Sequence, residues 1–374
     1  MSTTYRPSRL ILTAGPSITD LEVEYVTDAV QHGWNERWNE YLVKFETSLA
    51  EYVGVRYAMA TSSATGALHL GLLALGVGPG DEVIVPGQTW VASASTVAYC
   101  GAKPVFVDVD RETWTLDPER LEAVITPRTK AIMPVHLYGN PSDMDPICEI
   151  AARHGLRIIE DAAPSLGASY RGRRTGSLGD VAAFSFQGAK IAATGEGGML
   201  VTDDPEVYDR AHRLNEHGRL STSFLIGEIG FKYKMPNIVA ALGLAQLERI
   251  EELVAKKRQI FGWYRDRLGD VEGLQMNHER EGDRNIQWMS SLVLNGKFAV
   301  DRDGLMAGLK ERLVDTRPFF PSIPDMPVFE DTSVSLPVSE HLAASAVNLP
   351  SGHNLTEEQV DYIARMVCEV IGAA

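Results

Sequence analysis

Apolar positions fall into two textures along the chain. From residue 56 to about 201 they come as short runs, at 57–60, 83–85, 105–107, 132–135, 157–160, 181–186 and 199–201. Runs of this length with little polar alternation predict strands buried on both faces. Between them, 67–75, 91–99 and 146–153 carry helical spacing. Strands that alternate with helices predict a mostly parallel sheet covered on both sides. Ahead of this region, 19–29 reads as a helix with Leu21, Val26 and Ala29 inward. Trp34 and Trp38 follow, and then a second helix through Tyr41, Phe45, Leu49 and Tyr52.

After residue 236 the pattern changes. Residues 236–268 read as one long helix, with Leu244, Leu247, Ile250 and Val254 on one stripe and charges opposite. A proline in the first turn is a normal start. A strand at 288–294, a helix at 303–313, a proline-rich loop at 318–327 and a last helix at 356–371 complete the chain. The division this predicts is a large α/β domain with a helical N-terminal segment over 1–255, and a smaller α+β domain over 256–374.

Composition narrows the class. The 374 residues are 44% apolar and 23% charged, as in a globular protein. A net charge of −15 argues against nucleic acid or an anionic membrane as the main partner. No apolar run approaches the ~18 residues of a membrane helix, and residues 1–9 lead into no signal-type apolar core. Cys100, Cys148 and Cys368 lie far apart, which suits a reducing compartment and suggests neither a disulfide framework nor zinc. The expectation is a cytoplasmic protein without a metal site.

Ligands of open parallel sheets sit beyond the carboxyl ends of the strands. Four groups fall there. Thr61-Ser62-Ser63-Ala64-Thr65-Gly66 is small and hydroxylated at a strand-to-helix junction, which makes a phosphate cradle or an ordinary helix cap. Trp90 follows the 83–85 strand and is placed to stack on a planar ring, or to pack. Glu160-Asp161 ends another strand, and one of the two acids can face the site. Ser185 and Lys190 follow the 181–186 run, and Gly195-Glu196-Gly197-Gly198 comes next. A lysine in a glycine-bounded turn between buried strands suits an amine that forms a Schiff base. Each group has a bland reading alone. Cradle, aromatic, acid and lysine in that order point to a pyridoxal-phosphate enzyme of fold type I.

The strings that carry a closer likeness are Gly78-Pro79-Gly80-Asp81-Glu82-Val83-Ile84-Val85-Pro86, Met133-Pro134-Val135-His136-Leu137-Tyr138-Gly139 and Ile159-Glu160-Asp161-Ala162-Ala163. To these are added Ser185-Phe186 with Lys190, the Gly195–Gly198 run, and Asn348-Leu349-Pro350 before the last helix. Together they resemble the DegT/DnrJ/EryC1/StrS family of sugar aminotransferases, from about residue 19 to the end. The resemblance implies an aspartate-aminotransferase-like fold and pyridoxal 5'-phosphate as cofactor. It implies that Lys190 carries the cofactor as a Schiff base and that Asp161 pairs with its ring nitrogen. Trp90 then stacks on the ring, while Ala64, Thr65 and Ser185 bind its phosphate. It also implies a homodimer with shared sites, in which Lys232 of a second subunit reaches the phosphate. The family commonly has Asn at that position. The implied reaction moves an amino group from L-glutamate to a keto sugar that carries a nucleotide. A keto-cyclitol or other free keto acceptor, and a non-catalytic cofactor-binding regulator, are the alternatives.

Two departures fall on the substrate side. Pro164 stands where the family often has Gln or Glu, and 319–323 lacks the family's histidine. His136 is as well explained by packing as by function. His217 and His353 are candidates for a substrate entrance and not for catalysis.

Overall fold

A computed structural model describes residues 5–220, 224–330 and 334–373. Its first half holds the strands β1 (Tyr57–Thr61), β2 (Glu82–Pro86), β3 (Lys103–Val107), β4 (Thr129–Ile132), β5 (Arg157–Asp161), β6 (Ser169–Tyr170), β7 (Arg173–Arg174), β8 (Val181–Ser185) and β9 (Gly198–Thr202). The helices there are α1 (Asp20–His32), α2 (Glu40–Val53), α3 (Ala64–Ala74), α4 (Ala92–Tyr99), α5 (Met144–His154) and α6 (Pro205–Asn215). Seven strands form one sheet in the order β1-β9-β8-β5-β4-β2-β3. Only β9 runs against the others. The expected parallel sheet is therefore present, with one reversed strand wedged between β1 and β8.

The reversed strand determines which strand ends meet. Because β9 pairs with both neighbours, Gly198 sits opposite Thr61 on one side and Ser185 on the other. β5 and β8 lie side by side, with Asp161 opposite Ala183. Three strand ends far apart in sequence are thus brought to one edge of the sheet. β2, β8 and β9 are wholly buried, as their unbroken apolar runs predict.

The second half contains α7 (Asn237–Glu248), α8 (Ile250–Leu268), β10 (Leu274–Met276), β11 (Ser291–Leu294), α9 (Arg302–Glu311), β12 (Arg317–Pro318), α10 (Pro337–Ser345), β13 (Ala346–Asn348) and α11 (Glu357–Ile371). β10-β11-β13-β12 make a second, antiparallel sheet. α8 serves two cores. Ile250, Leu253 and Val254 pack with the large sheet's helices, whereas Ile260, Tyr264 and Leu268 pack with α9, α11 and the second sheet. The N-terminal segment crosses over, since Ile11 belongs to that second core and bridges Val314. We propose the middle of α8, near residue 255, as the division between the two units.

Three sequence expectations change. The single helix over 236–268 is two helices, broken at Arg249, whose guanidinium turns inward to Glu22 at 2.7 Å and to the Ser17 carbonyl. The strand expected at 288–294 starts only at Ser291. Gln287 takes a left-handed φ of 55°, and Trp288 is drawn toward the large sheet by an indole hydrogen bond to the Ala189 carbonyl. The regular ladder of β4 ends at Ile132, because Pro134 has no N–H to give; Val135 continues only as an isolated bridge to Asp161.

Candidate active site

At the carboxyl edge of the large sheet lies a cavity of ≈ 620 Å³. Ala64, Thr65, Trp90, Asp161, Ser185 and Lys190 all line it. The sequence placed these six on four separate strand-to-loop junctions, and the topology brings them together.

The cup at one end is built from the start of α3. Ser63 caps the helix by accepting from the Gly66 N–H at 3.1 Å. The first backbone bond of the helix runs from Ala67 to Ser63, so the N–H groups of Ala64 and Thr65 precede the ladder. The Thr65 hydroxyl has no partner among the described residues. A helix N-terminus with free N–H groups and a hydroxyl is an anion site. Gly198 lets Ser185 approach this cup. A Cβ there would lie 2.4 Å from the Ala64 nitrogen and 2.5 Å from the Ser63 oxygen, so β9 passes beneath α3 only as glycine.

The two acids of β5 separate by strand alternation. Glu160 turns away from the cavity. It accepts from the N–H groups of Gly176, Leu178 and Gly179 at 2.7–2.8 Å and from His136 Nε2 at 2.9 Å. His136 Nδ1 accepts from the Ser142 N–H at 3.0 Å, which leaves the proton on Nε2. His136 and Glu160 are buried structural partners. Asp161 faces the cavity, 5% exposed. Its carboxylate accepts from the Ser93 hydroxyl at 2.7 Å and from the Ala163 N–H at 3.2 Å. Burial pushes its pKa up, against the Ser93 and Ala163 hydrogen bonds and the Lys190 charge, which push it down.

Lys190 sits in a turn held by backbone bonds: Lys190 N–H to Gln187 at 2.7 Å, Gly188 to Gly195 at 2.9 Å, and Thr194 to Phe186 at 2.7 Å. Gly195 takes φ +86°, a conformation that glycine adopts without strain. The Lys190 amine lies 3.9 Å from the centre of the Trp288 ring. Burial lowers its pKa to about 8, and only Asp161 opposes the shift. Trp90, 58% exposed, stands at the cavity mouth against Phe320, with ring centres 5.5 Å apart.

The remaining candidates fall elsewhere. Lys232 does not line the cavity of its own chain. Its amine pairs with Glu216 at 3.3 Å, beside Lys234 at 2.7 Å from the same acid. Pro164 forms part of the wall, and Ser322 is buried away from the lining. His217 and His353 do not line this cavity of their own chain. His353 is enclosed, and its pKa falls to about 3, first through burial and then through Lys257. No metal-binding cluster of His, Cys, Asp or Glu occurs among the described residues, and none of their helices is long and apolar enough to cross a membrane.

Sequence reasoning missed Ser93, Tyr138, Trp288, Arg317 and Phe320. Ser93 had a signal, since it lies one turn past Trp90 at the start of α4. Tyr138 had one too, since it lies just past the 132–135 run; Arg317 lies on the second sheet and Trp288 and Phe320 in loops beside it, and no local pattern ties these three to the strand ends.

Known proteins are similar to this chain in sequence and fold. The sequence profile of the DegT/DnrJ/EryC1/StrS aminotransferase family matches residues 16–368. A GDP-perosamine synthase of Caulobacter vibrioides is 42% identical over 364 residues, which are 96% of this chain and 98% of that protein. The crystal structure of DesI in the presence of its TDP-sugar product superposes with a TM-score of 0.90 at 32% identity, covering 98% of this chain and 94% of that one. The structure of 3-amino-5-hydroxybenzoic acid synthase superposes at 0.91 with 30% identity, covering 99% and 100%.

Proposed function

The chain belongs to the DegT/DnrJ/EryC1/StrS aminotransferase family, and on that premise we propose that it moves the amino group of L-glutamate onto a nucleotide-linked keto sugar. It is a pyridoxal-phosphate-dependent aminotransferase of fold type I. The observation that carries the reading is the shared cavity: one lysine amine, one buried carboxylate and one helix N-terminus face the same space. The donor set fits the cofactor. The start of α3, Thr65 and Ser185 suit a phosphate, Trp90 suits a ring face, Asp161 suits a ring nitrogen, and Lys190 suits an aldehyde.

When bound, pyridoxal phosphate supplies an electron sink for the carbanion left when a proton leaves a carbon beside nitrogen. The chain's residues do the rest. The N–H groups of Ala64 and Thr65, with the α3 dipole behind them, hold the phosphate dianion. Asp161 keeps a proton at the ring nitrogen by charge pairing, and Ser93 and Ala163 hold its carboxylate in one orientation. Lys190 needs a neutral amine to attack a carbonyl or to take a proton. Burial supplies it by lowering the pKa to about 8. The Trp288 ring covers one side of the Lys190 amine.

The acceptor is read from the relatives. The Caulobacter protein is a GDP-perosamine synthase, and DesI was solved with a TDP-sugar product. We take GDP-4-keto-6-deoxymannose as the first candidate. Pro164 in the wall and the absence of a histidine from 319–323 favour, as the second reading, a keto compound without a nucleotide. The test is a half-reaction screen. L-Glutamate is expected to yield one equivalent of 2-oxoglutarate per site and to bleach the cofactor's visible band. The GDP-linked keto sugar is then expected to restore the band faster than UDP- or dTDP-linked keto sugars or a keto-cyclitol. Failure of glutamate to release 2-oxoglutarate with any acceptor would return the protein to the class of cofactor-binding regulators.

The proposal includes a homodimer with shared sites. Phe224, Leu225, Ile226 and Ile229, just ahead of Lys232, are 91%, 64%, 50% and 92% exposed, an apolar cluster that a second copy would cover. In that arrangement Lys232 adds a point charge to the neighbour's phosphate. Sedimentation of the active enzyme is expected to show a dimer, with Lys232→Ala weakening cofactor retention about tenfold. An active monomer removes Lys232 from the site.

A further inference from the structure

A lysine that takes a proton and gives it up again needs its charged form held, but held weakly. A carboxylate in contact holds it strongly, shifting a pKa by about one to three units. The Lys190 amine makes no hydrogen bond or ion pair with any described residue. What stands against it is the Trp288 ring, whose centre is 3.9 Å away. Asp161 of β5 is the charge that acts on the amine, and Glu196 and Arg317 line the same cavity.

Trp288 reaches the amine from the loop ahead of β11, and three contacts hold it there. Its backbone N–H donates to the Tyr138 carbonyl at 3.1 Å, beside a bond from Ile286 to the Gly139 carbonyl at 3.2 Å. Gly139 takes φ +93°, and a Cβ there would lie 2.4 Å from Ile286 Cγ1 and 3.3 Å from the Trp288 nitrogen. The two segments meet this closely only because that residue is glycine. The indole N–H donates to the Ala189 carbonyl at 2.7 Å. The Ala189 N–H in turn donates to Gln187 Oε1 at 2.8 Å. The residue before Lys190 is thus fixed on both sides, once by its own turn and once by Trp288. Tyr138 packs on the indole with ring centres 5.9 Å apart, and Trp288 is 6% exposed. One rigid side chain therefore meets both the root and the tip of Lys190. The face of an aromatic ring carries negative potential, so it attracts an ammonium and not a neutral amine.

We propose that Trp288 is the positioning residue of Lys190: its indole N–H sets the peptide from which the lysine springs, and its ring face seats the ammonium form. The inference rests on the amino-transfer reading above, and deepens it. A ring face favours an ammonium by roughly 0.4 to 1.5 pH units, less than a touching carboxylate does. The amine is held in its charged form without being locked in it, as a group that shuttles a proton requires.

The test separates the ring from the N–H in the full-length apoprotein. Tetrafluorotryptophan placed at position 288 keeps the shape and the N–H but removes the negative potential of the ring face. Trp288→Phe keeps a ring face and loses the N–H. Covalent uptake of pyridoxal phosphate is followed by absorbance as a function of pH. With tetrafluorotryptophan the midpoint is expected to fall below the wild-type value by roughly 0.4 to 1.5 units, because the ammonium loses its support, at unchanged Tm. With Trp288→Phe the midpoint is expected to stay closer to wild type, and uptake above the midpoint to slow about fivefold for the loss of one hydrogen bond to the lysine's turn. A ring that only covers the amine leaves the fluorinated protein's midpoint unmoved, and that result overturns the seat. Trp288→Phe uptake as fast as wild type overturns the part given to the N–H. If wild-type apoprotein takes up no pyridoxal phosphate on residue 190, the amino-transfer reading fails instead; normal wild-type uptake with an unmoved fluorinated midpoint sinks Trp288 alone.

Discussion

Lys190→Ala is expected to lose at least about three orders of magnitude in turnover and to keep its fold. General acid–base participation alone contributes about 10²–10⁴, and the covalent hold on the cofactor is lost as well. The fold survives because the turn is held by backbone bonds around Gln187, Gly188 and Thr194, and not by the lysine side chain. The amine itself rests on the face of Trp288. Borohydride treatment of wild-type holoenzyme is expected to fix the cofactor on the peptide that contains residue 190, and the variant is expected to release it. The lowered pKa gives a further signature. Below pH 8 the amine is mostly protonated and unreactive; above it the neutral form dominates. Covalent uptake of pyridoxal phosphate by the apoprotein is therefore expected to rise with pH through about 8 and then level off. A flat profile from about pH 6.5 to 9.5, or a Lys190→Ala enzyme with wild-type turnover, contradicts the assignment.

The second large effect belongs to Asp161. Removing one member of a buried charge pair costs about 3–5 kcal/mol, which corresponds to roughly 150- to 4,000-fold in rate or affinity. Asp161→Asn keeps the shape and both neighbouring hydrogen-bond positions, yet cannot hold a cation at a ring nitrogen. It is expected to lose turnover by that factor and to release cofactor more readily on dilution. Ser93→Ala gives the graded control. It leaves the carboxylate in place but deletes its 2.7 Å hydroxyl partner. Burial then raises the Asp161 pKa with less opposition. The expected loss is about tenfold, with the cofactor band's pH titration displaced. Asp161→Asn turnover within twofold of wild type would show that this carboxylate does not act on the ring. A Ser93→Ala enzyme with an unmoved titration would reduce Ser93 to packing.

The part of the candidate site on the large sheet was legible because its residues obey a local rule. A buried parallel strand announces itself as a short apolar run, and the residue just past its end lies at the sheet's functional edge. The Glu160-Asp161 pair at the end of β5, Ser185 at the end of β8 and the hydroxylated turn after β1 were found on that rule. The helix over 236–268 misled because periodicity is blind to a single broken turn, and Arg249 broke it by reaching inward to Glu22. Strand pattern likewise extended β11 back to Trp288, where a side-chain hydrogen bond to Ala189 had taken the backbone elsewhere.

By itself the sequence indicated the type of sheet, the candidate lysine, a pair of candidate acids and the candidate cradle, since each depends on residues close to a strand end. It also displayed a glycine at 198, without a reason for one there. Only the tertiary structure decided which acid of Glu160-Asp161 faces the cavity, because strand alternation has a phase that neighbours must set. Only it put β9 between β1 and β8, so that Gly198 could bring Ser185 under α3. And only it turned Trp288, Phe320 and Arg317 toward the cavity that holds Lys190. Those residues reach the site from around a second sheet, about a hundred positions or more along the chain. Contacts over such a distance are fixed by the packing of two cores on either end of α8, not by any local pattern.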